Sequence, residues 1–394
     1  MNKNEHTFWK NKPVPDYNEF STTISEIDDI SKRKIYTNDI SLKLPNGFKW
    51  KILNILDELD INNIIIFLKK YYEEYENIYR EYNKEFIRWY IGDGFILGME
   101  SDIYGLCGII GVIYRNTTIF DKTKKMAEIN FLCVHKKLRK KNMASIMIDE
   151  VSRIICKSNI YQGIYITEYI VPTPITQIKY YYRPINFQKL FNLGFFNIEK
   201  NYLLNNKLQS TLQQIQYFKI YELPHYKYVE AKPIHYKEIY NIYCEMTNTF
   251  NIYNNYTENE FNKVMFDNKI INTFVYLKDD KVIDFGSFYS LSYNIKGSIE
   301  TINVCYLYLY STNILNAYEN INNLIKHANQ LNFDVFYIAN NMWTGDALLI
   351  NEEEKEEEER VYELKFQKGI KKRGYHFFNL KCPKIKPKQL CWLF

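Results

Sequence analysis

Residues Glu128–Lys136 read EINFLCVHK, and Lys137, Arg139, Lys140 and Lys141 follow almost without interruption. Ile129, Phe131, Leu132, Cys133 and Val134 have the apolar run of a buried strand. Beyond the basic stretch, Met143, Met147, Val151 and Ile154 fall at i, i+4, i+8 and i+11, one face of a helix. A strand that ends in a basic loop and turns into a helix makes an anion site. Free backbone N–H groups and the positive end of the helix dipole face the ligand, and the lysines add charge, an arrangement suited to a pyrophosphate. Charge alone fits a water-exposed basic loop equally well. Other chemistries have less support. None of the six histidines sits in a local motif with Cys or Ser, and H-E-x-x-H, Walker and G-x-S-x-G patterns are absent. The tail Leu390-Cys391-Trp392-Leu393-Phe394 is apolar, which suits either docking for stability or burial of the terminal carboxylate.

These residues need a scaffold, and 394 residues suffice for two or three domain-sized units with a large core. Hydrophobic content of 46% and charged content of 25% are ordinary for a globular α/β chain. The net charge of +5 suits an acidic small molecule and is too small to indicate nucleic acid. Asn, Ile, Lys and Tyr are heavily used, as in an A/T-rich genome, so single residues of these types carry reduced weight. The seven cysteines are odd in number, widely spaced and without C-x-x-C, which reads as reduced thiols in a cytoplasmic protein rather than a disulfide or zinc framework. The start MNKNEHTFWK lacks a signal-peptide core, and no run approaches the roughly 18–20 apolar residues of a membrane span.

Periodicity predicts helices over Ile61–Tyr75, Tyr236–Thr247 and Ile314–Gln330, and a helix end at Lys189–Leu193 closed by Gly194. Strands are predicted within Phe95–Tyr114 and over Ala127–Val134, Gly163–Ile170, Thr273–Leu277, Val282–Tyr289, Asn303–Tyr310 and Phe333–Ile338. Strand–strand–strand–helix–strand therefore occurs twice, which predicts two related α/β units, 1–205 and 206–394. Glu352–Glu359 reads as a solvated acidic insertion.

The wording is more specific than the pattern. Met126–Leu138 closely resembles the signature of the N-myristoyltransferase family. Other matches follow in order along nearly the whole chain. Phe8-Trp9 with Pro13-Val14-Pro15 resembles FW-x-x-Q-PVP, and Tyr71–Asn77 resembles Y-V-E-D-D-D-N. Glu85-Phe86 and Trp89 match E-F-L-L-W. Val171-Pro172, Pro174 and Lys179–Arg183 are similar to L-P-x-P…R-Y-x-H-R. Asp284-Phe285, Ser287-Phe288-Tyr289 and Leu291 are similar to D-F-x-S-F-Y-x-L. Tyr306 aligns with the Tyr of A-A-Y-S-F-Y, and Asn332–Phe336 and Lys381–Pro383 also fit.

The resemblance implies two tandem acetyltransferase-like (GNAT-like) units related by a pseudo-twofold and forming one saddle-shaped mixed sheet flanked by helices. It implies transfer of myristate from myristoyl-CoA to the N-terminal glycine amine of proteins, by a cytoplasmic monomer without a metal. By the same resemblance, the backbone N–H groups of Phe131 and Leu132 form an oxyanion hole and the Phe394 carboxylate acts as base. Myristoyl-CoA would be held by Thr7, Phe8, Trp9, Phe131, Leu132, Cys133, Val134, Arg139, Lys140, Lys141, Asn142, Met143 and Ala144. The acceptor would meet Tyr71, Glu73, Glu74, Thr167, Tyr180, Tyr182, Tyr306 and Leu393.

The chain departs from the family at several of these places. Lys12 replaces the Gln of FW-x-x-Q, and R-S-K-R-x-A-P appears as Arg139–Ser145. Y-T-A-G reads Tyr165-Ile166-Thr167-Glu168, which puts Ile at the family's Thr and leaves Thr167 to substitute. Tyr182 stands for the His of R-Y-x-H-R, and Tyr337 for the Asn after F-D-V-F. G-x-G-D-G reads Gln367–Lys371, without its aspartate. Two further readings use the same scaffold: an N-acyltransferase of different acyl length or acceptor, and a non-enzymatic acyl-CoA or peptide binder.

Overall fold

The protein is described by a computed structural model covering residues 8–9, 11–16, 19–72, 78–168, 172–198, 211–266, 269–347 and 364–392. Two compact units share the chain. The first comprises Met1–Glu74, Tyr82–Gln177 and Arg373–Lys386, and the second Tyr75–Glu81, Ile178–Lys372 and Pro387–Phe394.

In the first unit, β1 (Phe48–Leu53), β2 (Phe95–Ser101), β3 (Gly105–Ile119) and β4 (Lys122–Val134) pair antiparallel in that order. The helix Met143–Cys156 then crosses over, as a parallel connection requires, and sets β5 (Gly163–Thr167) parallel to β4. Residues 374–378 of the strand Gln367–Phe378 run antiparallel to β5. The predicted apolar face of the crossover helix is the packed one: Met143, Met147 and Val151 are buried against Leu97, Ile110 and Val112. Ile155 takes the fully covered place, with Ile154 at its edge. Gly108 permits this approach, since a Cβ there would stand 2.8 Å from Met147 Sδ.

The register of β3 against β4 breaks once. Ile109 pairs with Cys133 and Gly111 with Asn130, so Phe131 and Leu132 together oppose the single residue Ile110. This is a β-bulge, and Phe131 adopts the left-handed φ of 52°, a conformation uncommon for a bulky residue and therefore worth a reason.

The second unit repeats the order. β6 (Ile271–Lys278), β7 (Lys281–Ile295) and β8 (Thr301–Tyr310) are antiparallel, and the helix Ala317–Gln330 returns to place β9 (Val335–Ala339) parallel to β8. Ile78–Glu81 pairs with β7, and Tyr180–Pro184 with β9. Ile321, Leu324, Ile325 and Ala328 form the buried face of that helix. β8 carries a bulge of its own: Gly286 pairs with Tyr310 and Phe288 with Leu307, so Tyr308 and Leu309 oppose Ser287.

The duplicated mixed α/β pattern thus agrees with expectation, and the helix Tyr236–Thr247 has the predicted bounds. Other ends move for capping reasons. The helix predicted over Ile61–Tyr75 is Glu58–Tyr71, because Asp57 accepts hydrogen bonds from the N–H groups of Leu59 and Asp60. The helix expected from Ile314 begins at Ala317, where Asn316 and Glu319 form a capping box. Among the elements without a sequence prediction are the helices Lys84–Ile91, Thr211–Phe218 and Glu258–Met265 and the strands Ile78–Glu81, Thr176–Pro184 and Gln367–Phe378. The last reads QKGIKKRGYHFF, whose Gly and Lys content gives little strand signal. Glu352–Glu359 lies outside the described residues.

Candidate active site

A cavity of about 590 Å³ lies within the first unit, inside the roughly 300–1,000 Å³ typical of small-ligand pockets. Ile148, Val151 and Ile155 of the crossover helix form one wall; Ile110, Ala127, Ile129 and Phe378 form the other. Phe8, Trp9, Tyr72, Phe131, Leu132 and Thr167 also line it. So apolar a lining favours an alkyl chain. Trp9 is fixed by stacking on Tyr165 (centroids 5.6 Å), which stacks in turn on His376 (5.2 Å). Lys12, which stands for the family's Gln, is buried with its Nζ 2.5 Å from Asp149 Oδ1 and donates to the Ser145 carbonyl at 3.3 Å. Tyr36 donates to the same Asp149 oxygen at 3.0 Å. Burial pushes the Lys12 amine down and Asp149 opposes it. The substituted residue therefore ties the N-terminal arm to the crossover helix.

The bulge sits on the cavity wall with a polar chain behind it. The Phe131 N–H donates to Asn130 Oδ1 at 2.8 Å, and Tyr72 Oη donates to the same oxygen at 3.2 Å. Asn130 Nδ2 donates to Tyr90 Oη at 2.5 Å, and Tyr90 donates to Glu128 Oε1 at 2.6 Å. Arg115 Nε completes the chain on Glu128 Oε2 at 2.8 Å. Glu128 is 1% exposed. Burial, with the Glu128 charge beside it, pushes the Tyr90 phenol well above its ordinary range. Sequence reasoning named Phe131 and Leu132 and missed Asn130, Glu128, Tyr90, Arg115 and Tyr72. Asn130 and Glu128 lay inside the signature itself. Tyr90 lay one residue past a matched motif, with nothing in its spacing to mark it.

The basic loop continues from this strand. Arg139 is committed to backbone, with Nε donating to the Val134 carbonyl (3.1 Å) and Nη2 to that of Tyr71 (2.7 Å). Tyr71, expected at the acceptor, packs its ring 4.6 Å from His135 beside this loop. Partial burial, then the surrounding cations, push the His135 imidazole down, a sign of local positive potential. Lys140 and Asn142 take left-handed φ values of 62° and 60°, and Lys140 and Lys141 are exposed. The Asn142 side chain places no hydrogen bond on the first turn of the helix, which keeps those N–H groups for a ligand. Cys133, Val134 and Met143 turn into the core, so only their backbone can serve the loop, and Ala144 is half-buried.

In the second unit, Tyr289, Tyr306, Tyr337 and Tyr182 are successive register partners across β7, β8, β9 and the strand Thr176–Pro184. Their rings follow at 5.0, 4.9 and 5.8 Å. Arg80 donates to the hydroxyls of Tyr293 (3.2 Å) and Tyr306 (3.4 Å), which also bond one another. Burial pushes the Tyr306 phenol well up, with Arg80 opposing. The two departures Tyr182 and Tyr337 thus meet across neighbouring strands as a tilted aromatic pair. Tyr182 is 0% exposed, so it forms the covered end of this row. A Cβ on Gly369 would stand 2.9 Å from the Tyr180 carbonyl, which accounts for a glycine kept where G-x-G-D-G is otherwise lost. Near the C-terminus, Leu390 and Cys391 pair with Ile252 and Tyr253, Asn341 Nδ2 donates to the Trp392 carbonyl at 3.0 Å, and Trp392 is 1% exposed. Thr7, Glu73, Glu74, Leu393 and Phe394 lie outside the described residues.

Comparison with known proteins gives a consistent result. The profile of Myristoyl-CoA:protein N-myristoyltransferase, N-terminal domain, matches residues 26–178, and that of its C-terminal domain matches 199–390. A Caenorhabditis elegans protein described as a probable glycylpeptide N-tetradecanoyltransferase is 27% identical, over 97% of this chain and 84% of its own length. The Plasmodium falciparum glycylpeptide N-tetradecanoyltransferase is 27% identical over 98% of this chain and 93% of its own. A solved structure of Saccharomyces cerevisiae N-myristoyltransferase with bound myristoyl-CoA superposes with a TM-score of 0.84 at 22% identity, covering 97% of this chain and 94% of that one, and so shares the fold. With its signature at the bulge and both domain profiles matched, the chain belongs to the myristoyl-CoA:protein N-myristoyltransferase family.

Proposed function

We propose that this chain transfers the myristoyl group of myristoyl-CoA to the N-terminal glycine amine of protein substrates. The observation that carries the reading is the bulge at Phe131–Leu132 on the wall of an apolar cavity, followed directly by a basic loop and an uncapped helix start. The acyl chain fills the cavity. The phosphates of CoA take the first-turn N–H groups, Lys140 and Lys141. The thioester oxygen takes the amides of Phe131 and Leu132, which stabilise charge that develops there. The glycine amine, once deprotonated, attacks the carbonyl carbon, a C–N bond forms, the C–S bond breaks, and CoA leaves as its thiol.

The Phe394 carboxylate is the proposed base. A terminal carboxylate has a pKa of roughly 3.5 in water and serves as a base to an ammonium only where water is excluded. The burial of the tail as far as Trp392 supports this role. Lys368 and Lys372 are exposed near the segment that is acidic in the family, so acceptors are expected without a preference for basic residues. The free state of all seven cysteines suits a reducing cytoplasm.

The first test is release of CoA thiol from myristoyl-CoA with a Gly-start peptide, an Ala-start control and no peptide. Release that needs the Gly peptide, with one added myristoyl mass on it, is expected. Myristoyl-CoA binding without any release would overturn the transferase reading in favour of a binder, and faster release from acetyl-CoA would favour a different acyltransferase. For the base, deletion of Leu393 and Phe394 should lower turnover by about 10³-fold or more while myristoyl-CoA still binds; unchanged turnover would remove the carboxylate from the mechanism.

A further inference from the structure

The Phe131 amide already has an internal oxygen on it, that of the Asn130 side chain, and the hydrogen bonds behind Asn130 run in one direction only. Arg115 can only donate, so Glu128 must accept from it. Tyr90 has one proton, and its hydroxyl donates it in a hydrogen bond to the buried carboxylate 2.6 Å away. Tyr90 Oη is then left to accept, which obliges Asn130 to present Nδ2 to it, at 2.5 Å. The amide cannot flip without setting donor against donor, so Oδ1 faces the Phe131 N–H.

We infer that Tyr90, backed by the Arg115–Glu128 ion pair, is a positioning residue that fixes the Asn130 oxygen on the Phe131 amide and thereby holds the β4 bulge in the geometry a thioester oxygen takes over. This rests on the oxyanion reading proposed above. The left-handed Phe131 is held by this chain, so the acyl oxygen exchanges with Asn130 Oδ1 on an amide whose backbone conformation is already set. Tyr72 also donates to Asn130 Oδ1, so that oxygen keeps a donor when the acyl oxygen claims the amide.

The test uses Tyr90→Phe, which removes one hydroxyl and little volume. Loss of a whole oxyanion donor costs roughly 10²–10³ in kcat. Loss of the group that aims it is expected to slow single-turnover acyl transfer about tenfold, with the Kd for myristoyl-CoA within about twofold and the thermal midpoint lowered as for the loss of any buried hydroxyl, the protein still folded. Infrared spectra of bound [13C=O]myristoyl-CoA give a second readout: the carbonyl stretch should be lowered in the wild type and less so in Tyr90→Phe. Glu128→Gln reverses the chain. Its new amide must turn oxygen to Arg115 and nitrogen to Tyr90, which drives the Tyr90 proton toward Asn130 and turns the Asn130 amide around. This variant should therefore be slower than Tyr90→Phe, and adding Tyr90→Phe to it should restore the rate to that of Tyr90→Phe alone. Such suppression is foreign to a merely structural role. Wild-type rate and carbonyl frequency in Tyr90→Phe, or losses that simply multiply in the double variant, would overturn the inference. An unshifted carbonyl in an active wild type would instead overturn the oxyanion reading on which it stands.

Discussion

The two units carry the same strand–bulge–loop–helix sequence and finish it in opposite ways. In the first, the loop after β4 holds Lys136, Lys137, Arg139, Lys140 and Lys141, and the helix that follows starts without a side-chain cap from Asn142. In the second, the loop after β8 is closed by a carboxylate of the chain itself. Asp284 is 0% exposed and accepts from Ser311 Oγ (2.6 Å) and from the N–H groups of Asn313 (2.7 Å), Ile314 (2.8 Å) and Leu315 (2.9 Å). The bulges differ likewise. That of β4 faces a cavity, whereas Leu309 in that of β8 is held by Ser287 Oγ, which donates to its carbonyl (2.9 Å) and accepts from its N–H (3.1 Å). A strand-to-helix turn attracts an anion wherever it occurs. One copy leaves that property without a side-chain cap, and the other satisfies it internally. Asp284 and Ser287, two letters of the D-F-x-S-F-Y resemblance, are what closes the second copy.

The largest test of this contrast is therefore Asp284→Ala. It strands the buried Ser311 hydroxyl and three N–H groups on exposed or half-buried loop residues, which water can partly satisfy, so a loss of about 2–4 kcal/mol is expected. Chemical denaturation would show it as a lower midpoint at unchanged slope. A variant as stable as wild type would mean that the loop does not depend on its internal anion.

The matching change in the first unit is Lys140→Ala with Lys141→Ala. Exposed phosphate contacts of this kind are worth about tenfold in affinity each at moderate salt. The Kd for myristoyl-CoA should rise about 100-fold at low ionic strength and less in 0.5 M salt, with no loss of thermal stability. Unaltered binding in calorimetry would leave the helix N-terminus to hold the phosphates alone. Ser287→Ala is smaller again: about 1–2 kcal/mol of stability from one buried hydroxyl that serves both as donor and acceptor, with the Kd for myristoyl-CoA unmoved.

Much of the first unit was legible because its signal is local. The periodic face of the 143–156 helix, the apolar β4 and the basic loop adjoin in sequence, and the wording of Met126–Leu138 identified the bulge amides. What lay behind them was not legible. The Arg115–Glu128–Tyr90–Asn130 chain joins a strand, its neighbour and a distant helix, and Tyr90 falls 40 residues from Asn130, so no window of sequence contains it. Arg139 was read as a phosphate ligand from its charge, and only the fold gives it the carbonyls of Val134 and Tyr71. In the second unit Tyr182 and Tyr337 looked like two separate losses, 155 residues apart, until the pairing of the strand Thr176–Pro184 with β9 joined them. Strand register is fixed by tertiary packing, and that strand went unrecognised in a tyrosine-rich composition.

That pair gives the finest test of whether the second unit has been rebuilt as one face. Tyr182→His and Tyr337→Asn each leave a polar group against the partner's ring, and together they put the family's motif letters at both positions. A buried aromatic pair contributes about 0.5–1.5 kcal/mol beyond its area, so the two single changes should each lower stability by about 1 kcal/mol or more, and the double change by less than their sum. Tyr337 stacks on Tyr306 at 4.9 Å, and Tyr306 is a proposed acceptor contact. The same cycle should therefore move the KM for the Gly-start peptide severalfold while the Kd for myristoyl-CoA stays constant. Additive stability losses would separate the two tyrosines again. A change in donor affinity, with peptide KM constant, would show that this row serves the acyl-CoA half of the reaction and would erase the division of labour between the two copies.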